Sequence, residues 1–188
     1  MKIVLASQSP RRKELLAKIV PSFSVVPSGA DETRTVAESA ERYVVRVAQA
    51  KAEEVAAAHP DSLVIGADTA VVYEEHILGK PVSREDAFGM LSMLSGKEHR
   101  VLTGLCVIVK SRGIILCDAA VTHVRFKRLS KAVIDGYLDT HVYLDKAGSY
   151  GIQDIGSVFV DSIDGAFDNV VGLPLVETAR LIAAAQTR

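Results

Sequence analysis

The chain has 188 residues and a mass of 20.2 kDa, with 22 Lys and Arg against 23 Asp and Glu, so its formal net charge is -1. This balance excludes the basic surface of a general nucleic-acid binder, and 48% hydrophobic residues exclude intrinsic disorder. The first apolar run ends at Ser7, which is too short for a signal peptide, and no run is long enough to span a membrane. We expect a cytoplasmic protein without nucleic-acid or membrane partners.

Strands and helices are predicted to alternate along the chain. Apolar or alternating runs predict strands over residues 2–6, 23–26, 63–73, 101–109, 114–126 and 157–163. Capping residues and 3.6-residue periodicity predict helices that begin at Ser9, cover residues 36–59, and begin at Ser83, Ser130 and Pro174. The turn at residues 110–113 joins two strands in a hairpin, so the interleaved pattern predicts an α/β fold with a mixed sheet.

Two arginines occupy the first turn of the first predicted helix, which starts at Ser9 and Pro10. The helix dipole disfavours cations there by about 0.3–1 kcal/mol each, so Arg11 and Arg12 suggest a local need for positive charge. Free backbone N–H groups and the Ser7 hydroxyl would complete an anion site of the kind that phosphates use. The alternative is a pair of solvated arginines on a surface turn.

Two charged residues interrupt apolar surfaces. Asp68 lies inside the apolar strand over residues 63–73, where a carboxylate must be paired, bind a cation or have a raised pKa. Lys51 falls on the apolar stripe of the helix predicted over residues 36–59, so it either snorkels from the edge of the stripe or directs its ammonium into a site. A structural ion pair is the alternative for Asp68.

Three predicted loops carry further polar groups. Lys80 follows a turn glycine, where a ligand can approach the backbone closely. Asp31 and Glu32 precede the long helix, and Gln153 ends a loop of small residues where its amide could read a base edge. The alternatives are an ordinary turn, a solvated acidic pair and an amide that satisfies loop backbone.

Several familiar sites are missing from the sequence. It contains no P-loop, no Gly-x-Gly-x-x-Gly turn, no Cys-x-x-Cys motif and no pair of histidines four residues apart. Cys106 and Cys117 are equidistant from the turn between the two hairpin strands, and we expect them to be core residues that stay reduced.

The unusual positions combine cations with acids in a chain that is almost neutral. Cations suit a polyphosphate, and acids suit a hard divalent metal such as Mg²⁺ that bridges it. The residues alone therefore indicate a polyphosphate or nucleotide site. The set consists of Arg11, Arg12, Lys51 and Lys80 with Asp31, Glu32 and Asp68.

With these motifs together, the chain resembles the Maf family of nucleoside triphosphate pyrophosphatases. The matching motifs follow the family's order through LASQSPRR at 5–12, DE at 31–32, AKA at 50–52, GADT at 66–69, GKP at 79–81, AGSYGIQ at 147–153 and NVVGLP at 169–174. Because they span nearly the whole chain, their combination is much more specific than any single motif.

The resemblance implies an elongated mixed sheet flanked by helices, in two lobes with a central cleft, as in inosine triphosphatases. It implies one Maf-like domain over residues 1–188 and a homodimer. The implied activity requires Mg²⁺ or Mn²⁺ and cuts between the α and β phosphates, releasing a nucleoside monophosphate and pyrophosphate. The rival interpretation is a non-catalytic nucleotide-binding regulator of cell division.

The family's site residues correspond to positions in this sequence. The resemblance implies that Asp68 accepts a proton from the attacking water and that Glu32 and Asp68 lie near the metal. It implies phosphate binding by Ser7, Arg12, Lys51 and Lys80. It links substrate choice to Arg11, Thr69 and Gln153, a combination that resembles the members acting on dTTP and UTP, with non-standard pyrimidine nucleotides as further substrates.

Overall fold

The computed structural model describes residues 1–34 and 38–187, and the chain forms two compact units. The first unit contains residues 1–69, 103–120 and the chain from Gly172 onwards, and the second contains residues 70–102 and 121–171. None of the described helices is long and apolar enough to cross a membrane.

In chain order the elements are β1 Ile3–Ala6, α1 Pro10–Leu16, β2 Ser24–Val25, α2 Ala40–Ala58, β3 Leu63–Tyr73, β4 His76–Leu78, α3 Arg84–Leu94, β5 Glu98–Val109, β6 Ile114–Phe126, α4 Lys131–Leu138, α5 Ile152–Phe159, β7 Val160–Asp164, α6 Phe167–Val171 and α7 Leu175–Gln186.

The described strands form one mixed sheet in the order β2-β1-β3-β5-β6-β7, with β4 paired to β3. β1 runs parallel to β2 and β3, whereas β4 runs antiparallel to β3 and β7 antiparallel to β6. β5 and β6 are neighbours joined only by residues 110–113, so they are antiparallel, because a parallel connection needs a long crossover. The predicted α/β fold, a mixed sheet flanked by helices, is confirmed.

In the first unit, two glycines allow α2 to lie very close to the sheet. A Cβ atom on Gly66 of β3 would stand 2.1 Å from the Ala48 carbonyl oxygen, and one on Gly104 of β5 would stand 2.2 Å from the Val44 carbonyl oxygen. Any other residue would force the helix away from the strands. Small buried side chains fill this contact: Val4, Ala6, Ala48, Ala52, Val55, Ala56, Val64, Cys106 and Ile108.

Serine hydroxyls cap the helices where the sequence predicts it. Ser9, Ser83 and Ser130 each accept a hydrogen bond from the backbone N–H three residues later, at the starts of α1, α3 and α4. Such a cap satisfies one of the backbone donors that a helix start leaves unpaired, and it is worth about 1 kcal/mol. These three predicted helix starts are therefore confirmed.

Several predicted boundaries are wrong, and β5 begins at Glu98 rather than at residue 101. The long helix begins at Ala40 rather than at residue 36, because Ser39 caps it, and residues 35–37 lie outside the described part of the chain. The strand predicted over residues 157–163 begins only at Val160. Its first residues belong to α5, whose buried side chains have helical spacing, at Ile152, Ile155 and Phe159.

The two cysteines are bonded to each other across β5 and β6. Their Cα atoms are 4.1 Å apart, and the structure joins Cys106 and Cys117 in a disulfide. Their equal distances from the hairpin turn bring them opposite one another. The expectation of core cysteines is met for Cys106, but the expectation that both stay reduced is wrong.

Candidate functional site

Lys51 lies at the centre of a charged group in the first unit. Its Nζ is 2.7 Å from Oδ1 of Asp68 and 2.7 Å from Oε1 of Glu32. The side chains of Lys51 and Asp68 are each 10% exposed, whereas that of Glu32 is 50% exposed. The ammonium of Lys51 therefore does not snorkel to solvent but joins two carboxylates, and we call these three residues the carboxylate–lysine cluster.

The close contact of α2 with β3 places the carboxylate–lysine cluster. Asp68 follows Gly66 by two residues, so both lie on the face of β3 that meets α2. Lys51 follows Ala48 by three residues, so it lies on the face of α2 that touches Gly66. A side chain at position 66 would push the helix outward and open the contact between ammonium and carboxylate.

The guanidinium of Arg12 is held by three groups of the first unit. Its Nε donates to the Gly172 carbonyl oxygen at 2.9 Å, its Nη2 to Thr69 Oγ1 at 3.1 Å, and its Nη1 to Ser7 Oγ at 3.4 Å. Burial lowers the pKa of Arg12 below its ordinary value, while the two carboxylates of the cluster act in the opposite direction. Arg12 is thus a half-buried cation held in one orientation by three hydrogen bonds, which excludes the solvated alternative for this residue.

Asp68 and Thr69 are adjacent in β3 and contact different partners. Asp68 contacts Lys51 on α2, whereas the hydroxyl of Thr69 contacts Arg12 and lies 3.0 Å from Oγ1 of Thr103 on β5. This division follows from the alternation of side chains along a strand. One short piece of β3 therefore supplies a carboxylate to the lysine and a hydroxyl to the arginine.

The second unit holds Lys80 and Gln153, and both are exposed. The carbonyl oxygen of Gly79 accepts a hydrogen bond of 3.0 Å from the backbone N–H of Gly148. This bond ties the turn that carries Lys80 to the segment that leads into α5, the helix that carries Gln153.

Gln153 does not end a loop, as the sequence predicted, but lies in the first turn of α5, and Tyr150 anchors the residues just before that helix. The hydroxyl of Tyr150 lies 2.7 Å from Nε2 of His99, and both side chains are buried. Burial lowers the pKa of His99 to about 4, so its ring is neutral at pH 7, and burial also raises the pKa of Tyr150. The rings of Phe126 and Phe159 continue this packing with edge contacts.

The structure thus brings most of the predicted site residues together within the first unit. Ser7, Arg12, Glu32, Lys51, Asp68 and Thr69 are linked by the contacts above. Arg11 is half-buried beside Arg12 in α1, and Lys80 and Gln153 belong to the second unit. Asp31, the other acid of the loop, accepts a bond of 2.8 Å from the Thr33 backbone N–H.

Two residues of this site were missed by the sequence reasoning. The hydroxyl of Tyr43 donates to the backbone carbonyl oxygen of Glu32 at 3.1 Å, and burial, with Asp68 and Glu32 nearby, raises its pKa to about 12. Thr103 bonds Thr69, as described above. A signal existed for Thr103, because it is the one hydroxyl in the otherwise apolar run over residues 101–109.

The first unit thus combines an oriented arginine and a buried lysine with two carboxylates on a mixed α/β sheet, and these are the residue types that bind phosphate groups and divalent cations. The family model described as Maf-like protein matches residues 2–185. The chain therefore belongs to the Maf-like protein family, as its motifs predicted.

Similar proteins agree with this membership. A dTTP/UTP pyrophosphatase of Colwellia psychrerythraea is 48% identical over 98% of this chain and 88% of its own length. A dTTP/UTP pyrophosphatase of Latilactobacillus sakei is 43% identical, covering 95% of this chain and 98% of that protein.

Solved structures show the same fold at low identity. The Ham1 protein of Staphylococcus aureus matches with a TM-score of 0.57 and 13% identity, covering 98% of this chain and all of that one. A HAM1 protein of Coxiella burnetii matches with a TM-score of 0.52 and 12% identity, covering 100% and 98%. At such identities the likeness shows the fold alone.

Proposed function

We propose that this chain is a nucleoside triphosphate pyrophosphatase that hydrolyses dTTP and UTP to the monophosphate and pyrophosphate. The observation that carries the proposal is the contact of the buried Lys51 with Asp68 and Glu32, next to an Arg12 that three hydrogen bonds orient. The relatives named dTTP/UTP pyrophosphatase support the substrate class.

The cations of the site would bind the polyphosphate. Arg12 presents a planar guanidinium whose position is fixed by three hydrogen bonds, so little side-chain entropy is lost when a phosphate binds. Ser7 and Lys51 add a hydroxyl and an ammonium in the same unit. Lys80 of the second unit is exposed and is the fourth phosphate-binding residue of the proposal.

Asp68 would act as the general base. Lys51 holds its Oδ1 at 2.7 Å, which leaves Oδ2 to accept a proton from water. The water oxygen then bonds to the α-phosphorus, the bond from that phosphorus to the oxygen bridging the β-phosphate breaks, and pyrophosphate leaves. The products are a nucleoside monophosphate and pyrophosphate, and the proton is carried by Asp68.

The residues present fit a divalent metal. Mg²⁺ in phosphate-transfer sites is usually bound by one or two carboxylates together with substrate phosphates. Glu32 and Asp68 converge on one ammonium and would hold Mg²⁺ or Mn²⁺, which when bound neutralises charge on the polyphosphate. The described residues contain no cluster of three or more His, Cys, Asp or Glu, so in this proposal substrate phosphates and water supply the remaining ligands.

Arg11, Thr69 and Gln153 would select the base. The amide of Gln153 has both a donor and an acceptor, which can pair with the N–H and carbonyl groups of uracil or thymine. Cytosine and guanine present different patterns on the same edge. Non-standard pyrimidine triphosphates with an intact uracil edge are substrates in this proposal.

The test compares kcat/KM for dTTP, UTP, CTP, GTP and 7-methyl-GTP on one preparation with Mg²⁺ or Mn²⁺. We expect dTTP and UTP to be preferred, by as much as ~10⁴-fold where a polar pair is lost. A preference for 7-methyl-GTP would contradict the base assignment. Tight binding of all triphosphates without release of pyrophosphate would favour the non-catalytic regulator instead.

A further inference from the structure

We infer that Thr103 is a positioning residue for base selection, because it fixes which way the hydroxyl of Thr69 points. The inference rests on the proposed function, in which Thr69 helps to select the base. It is carried by the 3.0 Å contact between the two hydroxyl oxygens and by the 3.1 Å bond from Arg12 to Thr69.

The position of Thr103 is tightly fixed. Its side chain is fully buried in the middle of β5. The next residue, Gly104, touches the backbone of α2 so closely that a Cβ atom would lie 2.2 Å from the Val44 carbonyl oxygen. β5 therefore cannot shift against α2, and the hydroxyl of Thr103 is held beside that of Thr69.

The contact with Thr103 limits which hydrogen-bonding positions of the Thr69 hydroxyl remain for a substrate. A guanidinium can only donate, so Thr69 must use one of its two acceptor positions for Arg12. The contact with Thr103 then takes either the single proton of Thr69 or its second acceptor position. In the first case Thr69 can only accept from a substrate, and in the second it can only donate.

Thr103 thus leaves Thr69 a single position for a substrate, an acceptor in the first case and a donor in the second. Without Thr103, the hydroxyl of Thr69 would keep its bond from Arg12 but could rotate to present either its proton or its remaining lone pair. UTP and CTP test this difference well, since N3 of uracil donates a hydrogen bond and N3 of cytosine accepts one. Losing the Thr103 hydroxyl should weaken discrimination between them.

The experiment uses Thr103→Val, which removes the hydroxyl at nearly constant shape, and Thr103→Ser, which keeps it. Thr178→Val is the matched control, because Thr178 is equally buried and its hydroxyl donates to the Pro174 carbonyl oxygen at the start of its own helix, away from Thr69 in the sheet. The readouts are the UTP-to-CTP ratio of kcat/KM and the ratio of their Kd values measured in EDTA without turnover.

We expect the wild type, Thr103→Ser and Thr178→Val to share the same ratios. Thr103→Val should lower the UTP-to-CTP ratio of kcat/KM about tenfold and raise the UTP-to-CTP ratio of Kd about tenfold, the effect of one hydrogen bond. If Thr103→Val weakens kcat/KM and affinity equally for UTP and CTP, so that both ratios are unchanged, the role of Thr103 is structural and the inference is overturned. If Thr103→Val does not fold, Thr103→Ala replaces it and is judged by the same ratios.

The two proposals can fail separately. A wild-type protein that releases no pyrophosphate from UTP contradicts the proposed function, while the Kd ratios still decide the inference. A wild-type protein that releases pyrophosphate, with Thr103→Val ratios equal to its own, contradicts the inference alone.

Discussion

The Nζ atom of Lys51 lies 2.7 Å from Oδ1 of Asp68, and both side chains are about nine-tenths buried. The pair joins the middle of α2 to the middle of β3, at the place where Gly66 lets the two elements touch. Because each charge is the buried partner of the other, this contact affects both folding and chemistry.

Asp68→Asn should abolish most turnover while the nucleotide still binds. Asparagine keeps the shape of the side chain but cannot accept the proton from water, and loss of a general base typically lowers kcat about 10²–10⁴-fold. Steady-state kcat and the Kd of UTP are the measurements. A variant with the wild-type kcat would show that Asp68 is not the base.

Lys51→Met should reduce the free energy of unfolding by on the order of 3 kcal/mol, because it leaves a buried carboxylate without its cation. Lys18→Met, at an exposed lysine, is the control and should change the stability little. Denaturant titration at pH 7 measures both.

Adding Asp68→Asn to Lys51→Met removes the buried carboxylate that the first substitution leaves without a cation. The double variant should therefore be more stable than Lys51→Met alone. If the second substitution gives no recovery, the ion pair does not account for the instability.

Gly104→Ala should destabilise the fold by about 3 kcal/mol, since its methyl group would overlap the Val44 carbonyl oxygen. Gly89→Ala is the matched control, because a Cβ atom there meets nothing within 4 Å and α3 favours alanine. Thermal and denaturant unfolding compare the two variants. Equal stability of Gly104→Ala and the wild type would mean that α2 does not lie so close to β5.

Stability should depend on pH through His99. Its folded pKa of about 4 lies below the ordinary value of 6.5, so between these values the unfolded chain binds a proton that the folded chain does not. This residue's contribution should therefore fall by about 2 kcal/mol from pH 7 to pH 5.

His99→Gln, which keeps a polar partner for Tyr150, isolates this effect. As the pH falls from 7 to 5, the free energy of unfolding of the wild type should decrease relative to that of the variant. A difference that is constant between pH 7 and pH 5 would show that His99 is not buried in its neutral form.

The sequence predicts the charged part of the site because those residues break a local rule. Asp68 interrupts an apolar strand, Lys51 interrupts an apolar helical stripe, and Arg12 lies at the N-terminal end of a helix, where the helix dipole disfavours cations. Each is paired in the structure in a way that explains the exception.

Residues whose type is ordinary for their position in a helix or strand are harder to assign to the site from the sequence. Tyrosine is common at half-buried helix positions, so Tyr43 gives no signal. Thr103 stands out only as the one hydroxyl of an apolar run, and because threonine is common in strands, this does not reveal its contact with Thr69. The start of β7 was misplaced for a similar reason, because residues 157–163 alternate like a strand although their first part completes the apolar face of α5.

The central claim is hydrolysis between the α and β phosphates, and the products from UTP test it most directly. UTP is incubated with the protein and Mg²⁺, and the nucleotide and phosphate products are separated and quantified over time. We expect UMP and pyrophosphate in equal amounts, with neither formed by Asp68→Asn above about 1% of the wild-type rate. UDP and orthophosphate as the first products would contradict it.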